Sequence, residues 1–337
     1  MKTPLKPPFP YFGGKSKVAD RVWDALGDVK NYVEPFAGSL AVLLARPHEP
    51  KIETVNDKDG MISNFWRAVQ SEQEEVARWA DWPVNENDLH ARHAWLVEQK
   101  GNLQEQLEGD KDFYDSKIAG YWVWGMACWI GSGFCSGNGR WVLKDGRLVD
   151  GDAGRGIKRQ RPHLGGAGQG INRNLPHLGD AGQGINRLGN AGWGELIDYF
   201  ETLAHRLRHV RVCSGDWSRV CGPTVTFTRG LTGVFLDPPY VQAGRCKVYD
   251  HESASAAEES AAWAIEAGKN PLMRVVYCGY EGGPEFPADW RIEQWKAGGG
   301  YGNQGDAQGR ENAHRERIWY SPACLNFEPE LALDFGE

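Results

Sequence analysis

The amino-acid sequence predicts an open α/β fold: a mostly parallel sheet with helices on its faces, interrupted by a second lobe. Three observations carry this. Short apolar strand candidates alternate with helically spaced segments at both ends of the 337 residues, which is the pattern of a parallel sheet. The first candidate, within Asn31 to Ser39, reads as a short strand ending in a tight glycine turn. A later one, Val234 to Leu236, stops at Asp237-Pro238-Pro239-Tyr240. Sheets of this kind bind ligands outside the carboxyl ends of their strands, so both turns belong to one prospective site.

In chain order, Tyr11-Phe12-Gly13-Gly14-Lys15 precedes an amphipathic helix with apolar Val18, Val22, Trp23 and Leu26, closed by Gly27. Gly14-Lys15-Ser16 imitates the end of a phosphate loop. That loop requires a glycine five residues earlier, where Phe9 stands, and the segment has no strand to spring from, so an ATPase is excluded. After Gly38 a short helix is expected from Leu40 to Ala45. The next strand, Lys51 to Asn56, ends in Asp57, a place from which a carboxylate can accept hydrogen bonds from ribose hydroxyls. Helical spacing then recurs over Met61 to Val69, Glu72 to Ala80 and Asn87 to Gln99, with Pro83 as a break. The apolar stretch Tyr121 to Ile130 gives way to a glycine-rich run ending at Arg140, and Trp122, Trp124 and Trp129 are read as core. Glu195 to His209 is expected to be a helix, Ala254 to Ala267 a helix and Leu272 to Cys278 a buried strand, while Val210 to Trp217 has the pattern of a strand followed by an acidic residue. Arg291 to Trp295 and Arg317 to Tyr320 form a candidate antiparallel pair.

The tetrapeptide at 237–240 suits chemistry on an exocyclic amine. Such an amine is a poor nucleophile because its lone pair is delocalised into the base ring. It reacts when acceptors hold its hydrogens and turn the lone pair toward an electrophile. Asp237 and the Pro238 carbonyl are those acceptors, and Pro238 and Pro239 stiffen the turn. Tyr240 offers a face on which an extruded base can stack.

Taken together and in order, the lysine segment, Glu34-Pro35-Phe36-Ala37-Gly38-Ser39, Asn56-Asp57-Lys58-Asp59 and Asp237-Pro238-Pro239-Tyr240 resemble the Dam-like (D12 class) adenine-N6 DNA methyltransferases, especially the orphan enzymes of phages and prophages. The resemblance implies a Rossmann-like S-adenosylmethionine-dependent sheet made of residues 1–60 and 210–337. It also implies an inserted, mostly helical and loop-rich target-recognition lobe over 61–209. By the same resemblance Tyr11 and Lys15 lie beside S-adenosylmethionine, and Glu34, Pro35, Phe36, Ala37, Gly38 and Ser39 approach its methionine part. Asp57 binds its ribose, Asp216 and Trp217 flank its adenine, and Asp237 touches both cofactor and target amine. The family usually carries a second glycine two positions after the first, where this chain has Leu40. A side chain there is expected to narrow the room for a ligand at the turn.

Composition agrees with this reading. With 41% hydrophobic and 25% charged residues, and no apolar stretch near the length of a bilayer span, the chain reads as a soluble cytoplasmic protein without a membrane partner. Seven cysteines without a Cys-x-x-Cys pair argue for reduced, structural thiols and for no metal. The net charge of −7 is unevenly divided: 140–194 holds nine basic residues against four Asp, a local +5, so the rest carries −12. A polyanion is therefore drawn to one segment and repelled by the remainder. The basic residues Arg140, Lys144, Arg147, Arg155, Lys158, Arg159, Arg161, Arg173 and Arg187 are the candidate DNA contacts. Within this segment a Gly-rich unit recurs at a step of 14 residues, starting at Gly151, Gly165 and Gly179 with a degenerate copy at Gly189. Its turns either follow a DNA groove or form an expanded surface insertion. His163 and His177 repeat with it as packing or phosphate contacts.

The expected activity is in-line methyl transfer from S-adenosylmethionine to a flipped adenine in double-stranded DNA, with a homodimer left open. The expected test is Asp237→Ala, which should abolish methylation and leave the fold intact. The alternatives are methylation of cytosine N4 or of RNA, and a DNA-binding regulator without cofactor, at which Leu40 hints.

Overall fold

Which residues can be buried decides the layering. The computed structural model describes residues 5–9, 11, 15–82, 86–129, 134–135, 141–144, 147–150, 193–239, 254–295 and 315–325, with backbone alone at 86, 141–144, 147–150, 193–195 and 254. Helix α1 (Ala19–Leu26) buries Val22, Trp23, Ala25 and Leu26 and stops at Gly27, whose φ of 61° lets its N–H reach the Trp23 carbonyl at 2.7 Å. Strand β1 (Asn31–Glu34) is buried along its whole length, as a central parallel strand must be. It leads through the Gly38 turn into α2 (Ala41–Leu44), shorter than expected, and then β2 (Ile52–Asp57).

Helix α3 (Gly60–Ala80) starts at Asp59, whose side chain accepts the Met61 N–H, and is kinked at Glu72, where the sequence separates two helices. Helix α4 (Glu86–Gly109) runs on past Gln99 because Leu96, Leu103 and Leu107 continue one buried stripe. Helix α5 (Ser116–Cys128) is capped by Asp115, and Trp122 and Trp124 are buried in it as expected. Strands β3 (Trp141–Lys144) and β4 (Arg147–Asp150) form an antiparallel hairpin within the segment read as a basic insertion without strands. The signal was present: β-formers flank the two-residue link Asp145-Gly146, a hairpin sequence. The 14-residue repeats lie outside the described residues.

Helix α6 (Trp193–Leu207) is followed by β5 (Val210–Ser214), β6 (Thr232–Leu236), α7 (Ala254–Ala267), β7 (Met273–Tyr280), β8 (Arg291–Gln294) and β9 (Glu316–Tyr320). The main sheet has the order β5-β2-β1-β6-β7-β9-β8. Its first five strands are mutually parallel, β9 is antiparallel to β7, and β8 is antiparallel to β9. The chain moves outward from β1 in both directions, so β1 and β6 flank the point where the winding reverses. That crevice is where open sheets bind ligands.

Alternate residues of the strands feed the two faces. Tyr32, Phe235, Val276 and Cys278 join α1, α2, α3, α5 and α6 in one apolar cluster, whereas Val33, Val234, Leu236, Val275 and Tyr277 join α7 and Trp217 in another. Each large apolar side chain so buried contributes roughly 1.5–3 kcal/mol. One buried ionic network ties α6 to the sheet. Glu53 accepts from Arg46 at 3.1 Å and from both terminal nitrogens of Arg206 at 2.7 and 2.9 Å. No helix among the described residues is long and apolar enough to cross a membrane.

Candidate active site

The parallel strands end along one edge of the sheet, and the antiparallel β9 begins there. That edge gathers Glu34, Asp57, Ser214, Asp237 and Glu316 from five strands that are remote in sequence.

The turn after β1 is fixed by backbone bonding. Ala37 N–H bonds the Asn56 carbonyl at 2.9 Å, Leu40 N–H bonds the Ala37 carbonyl at 2.9 Å, and Trp66 Nε1 donates to the Gly38 carbonyl at 3.0 Å. Gly38 has φ of 47°, and a Cβ there would lie 2.6 Å from a ring carbon of Tyr11. Glycine is thus required twice, for its dihedral and for the ring laid upon it. Leu40 also occupies the left-handed region, at φ 56° and ψ 27°. Its side chain is fully buried in an apolar cluster that includes residues of α3, so it turns into the core. Burial of that leucine offsets a backbone cost of about 1–2 kcal/mol.

Asp57 at the end of β2 accepts the Gly38 N–H at 2.8 Å on one oxygen and the Asp59 N–H at 2.9 Å on the other. Burial pushes its carboxyl up to about 7, against the pull of those N–H groups. Neighbouring Asn56 binds the carbonyls of Pro35 and Gly215 at 3.1 and 3.0 Å, which locks the first turn to the segment after β5. In that segment Asp216 is exposed and caps a 3-10 turn through Ser218, and its carboxyl is held below the usual range by the Ser218 hydroxyl. Trp217 is largely buried and stacks on Phe36 with ring centroids 6.2 Å apart, so it packs the sheet face and leaves the more accessible surface to Phe36.

Across the crevice Lys15 Nζ lies 2.8 Å from Asp237 Oδ2, with the lysine side chain 3% exposed and the aspartate 21%. Burial would lower the Lys15 ammonium, but the Asp237 carboxylate wins, with Glu316 adding to it, and raises it well above its ordinary value. The ammonium also stands 5.9 Å from the centre of the Trp295 ring. Glu34 accepts the Tyr32 hydroxyl at 2.9 Å. Burial drives its carboxyl up to about 8, with the Tyr32 bond pulling down and the charge of Asp237 pushing further up. Pro238 is buried and Pro239 half-buried beside Asp237.

The structure therefore brings Tyr11, Lys15, the 34–39 turn, Asp57 and Asp237 to one edge. Tyr240 lies outside the described residues, as do Arg140, Arg155, Lys158, Arg159, Arg161, Arg173, Arg187, His163 and His177. Of Lys144 and Arg147 the backbone is described, and they are paired across the β3–β4 hairpin. The sequence reading missed Cys278, Trp295 and Glu316. Cys278 and Glu316 look like ordinary strand residues, and only the pairing of β7 with β9, and of β9 with β8, delivers them. None of the six described cysteines is joined in a disulfide, and no group of metal-binding side chains occurs among the described residues.

With this geometry in hand, the comparison with known families is specific. Residues 11–116 match the model of the D12 class N6 adenine-specific DNA methyltransferases. The match takes in Tyr11, Lys15, the Gly38 turn and Asp57, while Asp216 and Asp237 lie beyond it. No curated protein matches the chain.

Proposed function

We propose that this chain, a D12 class N6 adenine-specific DNA methyltransferase by its residues 11–116, transfers a methyl group from S-adenosylmethionine to the N6 amine of an adenine extruded from duplex DNA. The family supports an enzyme acting on DNA adenine; the donor, the extrusion and the residue roles are our reading. A single observation carries it. The buried ion pair of Lys15 with Asp237 joins the family-matched segment to the acidic tetrapeptide that lies outside it.

The edge suits the donor. It offers a glycine turn without a Cβ at Gly38, a strand-end carboxylate at Asp57 whose oxygens keep lone pairs for ribose hydroxyls, and Phe36 as an aromatic face. S-Adenosylmethionine supplies an electrophilic methyl group on a sulfonium sulfur. Asp237 and the Pro238 carbonyl would accept the two amine hydrogens and aim the nitrogen lone pair. Lys15 would hold Asp237 in that orientation. Tyr240 would stack on the base. Extrusion of the base costs a few kcal/mol, which contacts from the helical lobe and the basic residues of 140–194 would offset.

The test is incubation of the purified protein with methyl-labelled S-adenosylmethionine and duplex DNA, followed by nucleoside mass spectrometry. N6-methyladenine is the expected product. Label in cytosine N4 or in RNA alone would overturn the substrate, and a silent calorimetric titration with S-adenosylmethionine would overturn the enzyme reading.

A further inference from the structure

Glu316 is the residue at the edge that neither the sequence reading nor the proposed mechanism uses. It is the first residue of β9, opposite Tyr280 of β7, and only 6% exposed. The reversed direction of β9 carries this first residue to the edge where the parallel strands end. Its backbone carbonyl accepts the Trp295 N–H at 3.3 Å, and the Trp295 ring stands 5.9 Å from the Lys15 ammonium, which in turn holds Asp237. Asp237, Lys15, Trp295 and Glu316 thus form one contiguous group. Within it, Glu316 Oε2 and Trp295 Nε1 are buried and find no hydrogen-bond partner among the described residues. A buried carboxylate oxygen left unbonded is costly and needs a reason.

We propose that Glu316 is a positioning residue for methyl transfer, whose ionised carboxylate draws on the Lys15 ammonium and so leaves Asp237 a better acceptor for the amine. The inference rests on the functional reading above. The Glu316 carboxylate acts on Lys15 through the low-dielectric interior, and an ammonium drawn toward a second negative charge withdraws less electron density from Asp237. With Glu316 neutral, Lys15 commits to Asp237 and weakens the hydrogen bond that Asp237 can accept.

The groups whose electrostatics couple to Glu316 are Lys15 before α1, Asp237 after β6 and Cys278 on β7. On its own strand Arg317 turns to the Glu281 carboxylate and neighbouring Arg315 to the Glu281 carbonyl. Burial raises the Glu316 carboxyl to about 7, with Lys15 opposing and Asp237 reinforcing. Its ionised fraction therefore rises through neutral pH, and the transfer rate should rise with it. Asp57 and Glu34 titrate nearby at about 7 and about 8, so the wild-type profile alone does not assign the step.

The experiment is the single-turnover methylation rate of the full chain on duplex DNA from pH 5.5 to 9, for wild type, Glu316→Gln and Glu316→Asp, with S-adenosylmethionine affinity measured beside it. Glu316→Gln should lose the inflection near pH 7 and run about ten-fold below the wild-type plateau, with affinity unchanged. Glu316→Asp should restore an inflection at a displaced pH. If the Glu316→Gln profile superimposes on that of wild type, or its rate falls uniformly with the inflection kept, the inference is wrong. Should Glu316→Gln not fold, an undisplaced Glu316→Asp inflection overturns it equally. A wild-type protein that methylates no DNA sinks the functional reading and this inference together, an outcome distinct from all of these.

Discussion

Lys15 and Asp237 are far apart in the sequence and share a 2.8 Å ion pair at the carboxyl edge of the sheet. The sequence reading expects Asp237→Ala to leave the fold intact. The buried lysine says otherwise, because removing one partner leaves an uncompensated buried charge. Asp237→Ala should abolish methylation and also cost up to about 3 kcal/mol of stability, less than a fully buried pair since Asp237 is partly exposed. Asp237→Asn should stay closer to wild type in stability and still lose at least about 100-fold in rate. A double-mutant cycle with Lys15→Met, read by urea unfolding, should return a coupling of at least about 1 kcal/mol; strict additivity would rule the pair out as a structural unit.

At the turn, Gly38→Ala must accommodate both a left-handed dihedral and the Tyr11 ring. We expect a stability loss of about 1–2 kcal/mol and at least ten-fold weaker binding of S-adenosylmethionine by calorimetry. Wild-type affinity in this variant would place the ligand elsewhere.

Leu40 tests the opposite balance. Leu40→Gly relieves the strained dihedral by about 1–2 kcal/mol but empties a fully buried site, a change that for leucine truncation costs about 2–5 kcal/mol. The variant should be destabilised by about 1–3 kcal/mol and keep its ligand affinity. Tighter binding of S-adenosylmethionine would show that the leucine does crowd the turn.

Stability should depend on pH with an unusual sign. Glu34, Asp57 and Glu316 have folded-state values of about 8, 7 and 7 against ordinary values of 4.5, 3.8 and 4.5. The folded state therefore binds more protons than the unfolded one, and stability falls as pH rises toward 8, by at most about 1.4 kcal/mol per pH unit for each group. His93 works the other way, since burial lowers it to about 4 from 6.5, but it acts below pH 6.5. Thermal unfolding of the ligand-free protein between pH 6.5 and 8 should show a falling melting temperature, with the slope reduced in Glu34→Gln. A flat or rising curve would contradict these buried carboxyls.

How much was legible in the sequence follows from how local each signal is. The α7 bounds, the Gly27 stop of α1, the kink of α3 at Glu72 and the antiparallel pairing of β8 with β9 were readable because caps, breakers and periodicity act within a few residues. The Gly38 turn, Asp57 and the acidic tetrapeptide were readable as motifs, since chain chemistry at a strand end is also local. The length of α4 and the β3–β4 hairpin were under-read, although Leu103, Leu107 and Asp145-Gly146 carried their signals.

The sequence by itself determined a parallel α/β sheet, the turn that needs glycine, and the acidic residues Asp57 and Asp237 at strand ends, while β7 runs on to Tyr280 past the expected Cys278. Only the tertiary structure decided that Lys15 is buried against Asp237, that Leu40 points into the core, and that Glu316 and Trp295 join the same edge. The reason is physical. Dihedral preference and apolar spacing are properties of neighbours along the chain, whereas burial, charge pairing and the raised carboxyls arise from strands brought together by the order β1-β6-β7-β9, which no local pattern encodes.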